Sequence, residues 1–236
     1  SNHSNIPDPE RRLRVGLVSG DFRHHPVGYL LLGVLSKINT NNIKLIAYST
    51  CVLEDDFTAK IRSNVSKWRN VASVADKQLA ESIVADGIDI LVDLSGHSIG
   101  NRLPLFSWKP APVQVTWIGS NVSTGIREID YILCDPWTIS QKEEKYFIEK
   151  PWRLPDAWLC FAPPEFDIKE GPLPALKNGF ITFGCFNNLL KMNDAVVKCW
   201  SDVLKMVPNS KLLLKTKQLD FKKRNETLGC KSFLKL

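Results

Sequence analysis

Ala85-Asp86-Gly87-Ile88-Asp89-Ile90-Leu91-Val92-Asp93-Leu94-Ser95-Gly96-His97 is the stretch on which the fold turns. Ahead of it, Asp76 is placed to cap a helix that runs to Asp86 with Leu79, Ile83 and Val84 on one face. Gly87 then ends the helix, and residues 88–94 form a run apolar enough to be covered on both faces. A helix that stops at glycine and passes at once into a buried strand is the signature of a parallel sheet clad in helices. The small, polar residues after Leu94 mark a loop at the carboxyl end of that strand, where open parallel sheets hold their ligands.

Upstream, the same alternation repeats. Residues 13–19 read as a first strand, followed by a helix over 28–37, a strand over 43–48, a helix over 58–64 and a short extended piece at 67–71. Downstream, strands are expected at 113–118 and 129–134. The pattern assigns residues 12–150 to one Rossmann-like α/β lobe behind a disordered leader, residues 1–11. Residues 151–178 carry Pro151, Pro155, Pro163, Pro164, Pro172 and Pro174, a density that excludes regular helix or central strand and suits an interlobe segment. A second lobe then begins at residue 179, with a strand over 180–186, a helix over 193–207 and a strand over 211–214. One βαβ unit cannot cover both faces of its sheet, so this lobe is expected to be incomplete, only begun within residues 179–236.

The 236 residues are 44% hydrophobic, enough for an ordinary core. No run reaches the ~20 apolar residues of a membrane span, and the polar start lacks a signal-peptide core. A cytoplasmic protein without a membrane partner is expected. The formal charge of +6 is concentrated near the end of the sequence. No nucleic-acid motif accompanies it, so a solvated face is expected and no nucleic-acid partner. Six scattered cysteines without a C-x-x-C pair read as reduced core thiols. Neither a G-x-G-x-x-G nor a G-x-x-x-x-G-K-[ST] fingerprint follows the first strand, and the four histidines show no metal-ligand spacing beyond the adjacent His24 and His25.

Four loops carry the candidate chemistry. Asp21-Phe-Arg-His-His-Pro-Val-Gly28 sets His25 beside a proline just before a helix, as a hydrogen-bond donor to phosphate or sugar or as a base. In Asp93-Leu-Ser-Gly-His97-Ser-Ile-Gly-Asn-Arg102, glycines permit close backbone approach, and Asp93 with Arg102 is expected to form a local ion pair. The third loop, from Ile118 and Gly119 through Ser120-Asn-Val-Ser-Thr-Gly125, follows a buried strand and offers backbone groups to a sugar. The fourth, Phe183-Gly-Cys-Phe-Asn-Asn-Leu-Leu-Lys191, places Asn188 to pair with a base or ribose and Lys191 to meet a pyrophosphate.

In order and spacing these pieces, with Asn101-Arg-Leu-Pro104, Lys109-Pro-Ala-Pro-Val-Gln114 and Asp130-Tyr-Ile-Leu-Cys-Asp135, resemble the catalytic region of the O-GlcNAc transferase and SPINDLY-like family over residues 12–218. The resemblance implies a two-lobed GT-B-type glycosyltransferase that moves GlcNAc from UDP-GlcNAc to Ser or Thr hydroxyls with inversion. It implies no cofactor and no metal, a nucleotide-sugar donor, and a protein or peptide acceptor. His25 matches the family's active-site histidine, Ile118 and Gly119 the loop that meets the sugar, and Asn188 and Lys191 the pair that holds the nucleotide. Two departures stand out: Ser120-Asn-Val-Ser-Thr-Gly125 replaces the usual Tyr-Pro-Gly-Thr-[ST]-Gly, and the family's His-Thr-Thr-Gly-type diphosphate loop is not in this sequence. The chain alone is therefore expected to be impaired, and a fucosyl or glucosyl donor, or a non-catalytic binding module, stands as the alternative.

Overall fold

The computed structural model describes residues 3–8, 10–162 and 169–216. They fall into two compact units, residues 1–164 and 165–236. The first unit is an α/β domain around a seven-stranded sheet ordered β3-β2-β1-β4-β5-β6-β7, with every neighbouring pair parallel. Its strands are β1 (Leu13–Ser19), β2 (Ile43–Ser49), β3 (Lys67–Asn70), β4 (Ile90–Asp93), β5 (Val113–Thr116), β6 (Tyr131–Cys134) and β7 (Lys150–Arg153). The helices are α1 (Pro26–Leu35), α2 (Asp56–Ser63), α3 (Asp76–Ala85) and the short α4 (Leu103–Phe106). The strand order reverses between β1 and β4, so the loops after these two strands diverge and leave a crevice at their carboxyl ends.

The period of two along each strand sends alternate residues to opposite layers. Leu17, Leu45, Ala47 and Val92 pack with Val27, Leu31 and Leu35 of α1 and Phe57 and Ile61 of α2. Val18, Ile46, Tyr48 and Leu91 face the other way, toward Leu79, Ala80 and Ile83 of α3 and Leu103, Leu105 and Phe106. Gly16 is required on that second face, because a Cβ there would sit 2.8 Å from Leu91 Cδ1. Val84, expected on the apolar face of α3, is instead 49% exposed, and Ala75 rather than Asp76 is the N-cap, with no side-chain bond.

The ends of this unit depart from the expected boundaries. Within the leader expected to be disordered, two described residues are anchored: Asn5 Nδ2 donates to Asp89 Oδ1 at 2.6 Å and Arg11 pairs with the same carboxylate. Past residue 150 the sheet gains β7, whose Pro151 is tolerated because the strand lies at an edge and pairs only with β6. Trp158 and Leu159 also belong to this unit, since Trp117 Nε1 donates to Trp158 O at 2.7 Å and Leu159 packs on the α1–α2 layer. Of the five cysteines within the described residues, Cys134 is buried, Cys51 and Cys185 are half-buried, and Cys160 and Cys199 are exposed, so the expectation of core thiols holds fully only for Cys134. Cys230 lies outside the described residues.

The second unit comprises α5 (Pro174–Asn178), β8 (Thr182–Cys185), α6 (Asp194–Met206) and β9 (Lys211–Leu214), with β8 and β9 parallel. Proline at the first position of α5 satisfies a helix start, so the proline-rich stretch does end in a short helix. Asn193 caps α6 by accepting from Val196 N at 3.0 Å. Neither α6 nor the two strands contains a fully buried residue. Among the described residues, no helix is long and apolar enough to cross a membrane.

Candidate active site

The loop after β1 begins at Asp21, 5% exposed, and turns through His24 and His25 into α1. His25 is the N-cap of α1: its Nδ1 accepts from Val27 N at 3.3 Å. That bond needs the Nδ1 lone pair, so a neutral ring carries its proton on Nε2 and presents a donor, 37% exposed, above the sheet. Asp21 Oδ2 stands 3.6 Å from the same Nδ1 and would accept from it in the imidazolium. Gly28 is forced by this tight entry, because a Cβ would lie 2.3 Å from Arg23 O. His24 points elsewhere, bonding Tyr29 Oη and Asp56 Oδ1, each at 2.8 Å. The ligand atoms of His24, Asp55 and Asp56 lie within 4.8 Å of one another, but Asp55 is committed as the N-cap of α2, taking Thr58 N at 2.8 Å and His24 N at 2.8 Å.

The loop after β4 is organised by Asp93. Its buried carboxylate accepts from Ser95 N at 3.1 Å, Gly96 N at 3.0 Å and Thr116 Oγ1 at 2.8 Å. The expected partner, Arg102, is not there: it bonds Asp76 Oδ1 at 2.5 Å and the carbonyls of Val71 and Val74. Burial raises the Asp93 carboxyl above its ordinary value, against the lowering effect of the donors around it. Ser95 is the hub, with Gly20 N directed at its Oγ at 3.5 Å and Gly119 packed on its backbone.

A Cβ at Gly119 would lie 2.3 Å from Ser95 C and 2.6 Å from Gly96 N, so the loops after β4 and β5 interlock in a way only glycine permits. Ile118, beside it, has φ +66, in a region a β-branched residue rarely occupies, while its side chain is buried in the α1–α2 layer. The strained backbone of Ile118 and the close-packed Gly119 are thereby presented at the sheet's ligand end. His25, Ile118 and Gly119 all lie at the carboxyl ends of the parallel strands of the first unit.

In the second unit, Asn188 opens a 3-10 turn over Leu189–Lys191 at the end of β8, with its Oδ1 accepting from Leu190 N at 3.0 Å. Its Nδ2 and the Lys191 ammonium make no hydrogen bond or ion pair with the described residues. Both line a cavity of about 170 Å³ together with Cys185, Asn187, Trp200 and Lys215. That volume, below the ~300 Å³ of a typical small-molecule site, takes part of a nucleotide rather than all of it.

Residues 2–161 match the model of glycosyl transferase family 41. The chain belongs to that family. It is 39% identical over 217 residues to a probable UDP-N-acetylglucosamine–peptide N-acetylglucosaminyltransferase SPINDLY of Petunia hybrida, covering 90% of this chain and 23% of the relative. A probable transferase of the same activity named SEC, from Arabidopsis thaliana, is 31% identical over 214 residues, 86% of this chain and 22% of the relative. Among solved structures, a mutant O-GlcNAc transferase of Thermobaculum terrenum superimposes with a TM-score of 0.82 at 38% identity, over 90% of this chain and 40% of that one. The family 41 chain described here thus spans less than a quarter of these two relatives and two fifths of that structure.

Proposed function

We propose that this family 41 chain contributes to a protein glycosyltransferase that takes a UDP-linked sugar as donor, GlcNAc first among candidates, and a Ser or Thr hydroxyl as acceptor. The observation that carries the reading is the Asn188–Lys191 turn: a carboxamide nitrogen and an ammonium without partners among the described residues, both lining a cavity at a strand end. Such a pair suits a ribose or base edge and a diphosphate. Lys191 takes the part a metal would otherwise play, since the leaving nucleoside diphosphate develops negative charge that a fixed cation stabilises. His25 acts as a hydrogen-bond donor through Nε2–H rather than as a base, because its Nδ1 is engaged by Val27 N. Ile118 and Gly119 offer backbone groups to the sugar.

Calorimetric titration of the 236-residue chain with UDP tests this reading. UDP is expected to bind, and Lys191→Ala to weaken it about tenfold or more, the effect of one charge-assisted contact. Binding that is absent, or indifferent to Lys191→Ala, removes the proposal. The Ser120–Gly125 replacement keeps the sugar itself open, and a panel of UDP-GlcNAc, UDP-glucose and GDP-fucose in the same titration ranks the donors.

A further inference from the structure

Glu149 lies immediately before β7, is 2% exposed, and sits in none of the loops in which the sequence shows chemistry. Its carboxylate is nonetheless given over to one of them. It accepts from Ser123 Oγ at 2.8 Å, from Thr124 N at 2.7 Å and from Thr124 Oγ1. No cation pairs with it among the described residues. Burying a carboxylate without a counter-ion is costly unless converging donors replace its water, and here all three donors come from the loop that joins β5 to β6.

The rest of that loop is held just as closely. His97 Nε2 donates to Ser123 O at 2.9 Å, while Ser123 Oγ lies 3.3 Å from both Gly125 N and Ile148 N. At the loop's start, Gly119 is locked on Ser95, and Ile118 keeps its left-handed backbone. A strained residue of this kind persists only where its surroundings over-determine it, and such residues gather at ligand-binding points. Asn121 and Val122, between the two anchored ends, are exposed.

We propose that Glu149 is a positioning residue: it shapes the 118–125 loop so that the backbone of Ile118 and Gly119 meets the sugar of the nucleotide donor. The inference rests on the donor reading above and adds a residue that acts through Ser123 and Thr124. Three donors converging on two oxygens call for a carboxylate. A glutamine has one acceptor oxygen, and its amide hydrogens would face donors, so Glu149→Gln changes the loop's anchoring with little change in volume.

The test uses the 236-residue chain, with Glu149→Gln and Thr124→Val compared with the unaltered protein. Affinity for UDP is expected to stay within about twofold, while the preference for UDP-GlcNAc over UDP falls about tenfold, the loss of one hydrogen-bonding contact. Amide exchange of residues 119–125 is expected to speed up about tenfold or more, with Leu17 of β1 and Val92 of β4 unchanged. An unaltered sugar preference, in a protein that binds UDP-GlcNAc better than UDP, overturns the role of Glu149 and leaves the donor reading standing. Faster exchange in β1 and β4 together with the loop also overturns it, since Glu149 then supports the whole domain. Failure of the unaltered chain to bind either nucleotide removes the donor reading and this inference with it.

Discussion

Replacing Asp86 by asparagine isolates one electrostatic support of the fold. Asp86 ends α3 with its side chain 11% exposed, and its two oxygens take Lys67 Nζ at 2.8 Å, Arg69 Nη2 at 2.7 Å, Arg69 Nε at 2.9 Å and Tyr48 Oη at 2.8 Å. Burial alone would raise the carboxyl, but the bonds from Arg69, Lys67 and Tyr48 outweigh it and bring the pKa from 3.8 down to about 2. At 1.36 kcal/mol per unit, that is about 2 kcal/mol. Lys67 and Arg69 are 45% and 36% exposed, so solvent trims the figure to about 1–2 kcal/mol. A carboxyl depressed in the folded state stabilises above its unfolded pKa, so the contribution is full at pH 7, wanes as pH falls through 3.8, and is about half gone by pH 3. Urea unfolding followed by circular dichroism at pH 7 and pH 3 is expected to show Asp86→Asn less stable by about 1–2 kcal/mol at pH 7, with roughly half that gap at pH 3. A gap that stays constant or widens on acidification refutes the account.

Two further substitutions probe the ligand end of the sheet. Gly119→Ala forces a Cβ to within 2.3 Å of Ser95 C, and the loops must part at a cost of about 2–3 kcal/mol. A thermal melt indistinguishable from that of the unaltered protein refutes the interlock. Asp93 behaves oppositely to Asp86: its carboxyl is raised by burial, so the folded state favours the protonated form and loses stability as pH rises. Asp93→Asn cannot ionise and is expected to gain on the unaltered protein as pH rises above 3.8 in urea titrations; a difference that does not vary with pH counts against it.

Local pattern made the first sheet legible wherever it was strong, and it failed where tertiary context took over. β1 and β9 fall on the residues that alternation and apolar runs picked out. α1 starts two residues earlier than expected, because Pro26 fits the first helical position and His25 serves as the cap. α4, four residues long, leaves too short a stripe for periodicity to register, and β7 was hidden by a proline that only an edge strand accepts. Family resemblance picked out His25, Ile118, Gly119, Asn188 and Lys191, each in a loop at the carboxyl end of a strand. The Asp93–Arg102 pairing failed because the guanidinium found a carboxylate and two carbonyls beside α3, while Asp93 was satisfied by backbone amides, which no residue count reveals. Glu149 carried no signal at all: an acid in Phe147-Ile-Glu-Lys150 looks solvated until the sheet brings Ser123 and Thr124 over it.

The two units treat their polar groups in opposite ways, and that contrast bears on how a donor would be handled. In the first unit, the charged and hydroxyl groups beneath the ligand-end loops are paired with one another: Asp93 with Ser95, Gly96 and Thr116, and Glu149 with Ser123 and Thr124. Groups so engaged cannot also bind a ligand, so beside the Nε2–H of His25 what this unit offers is fixed shape, in the form of a backbone at Ile118 and Gly119 that sterics do not allow to relax. In the second unit, Asn188 Nδ2 and the Lys191 ammonium have no partner among the described residues, so they are available to satisfy a ligand's acceptors and charge. On the donor reading proposed above, the free pair would supply affinity and the rigid loop discrimination among sugars, because a backbone that cannot move rejects a misfit that a flexible side chain would accommodate. On this argument Lys191→Ala should lower affinity for UDP and UDP-sugars alike, and Glu149→Gln should change only the difference between them. A pair of variants in which the two effects are exchanged would refute this assignment of roles.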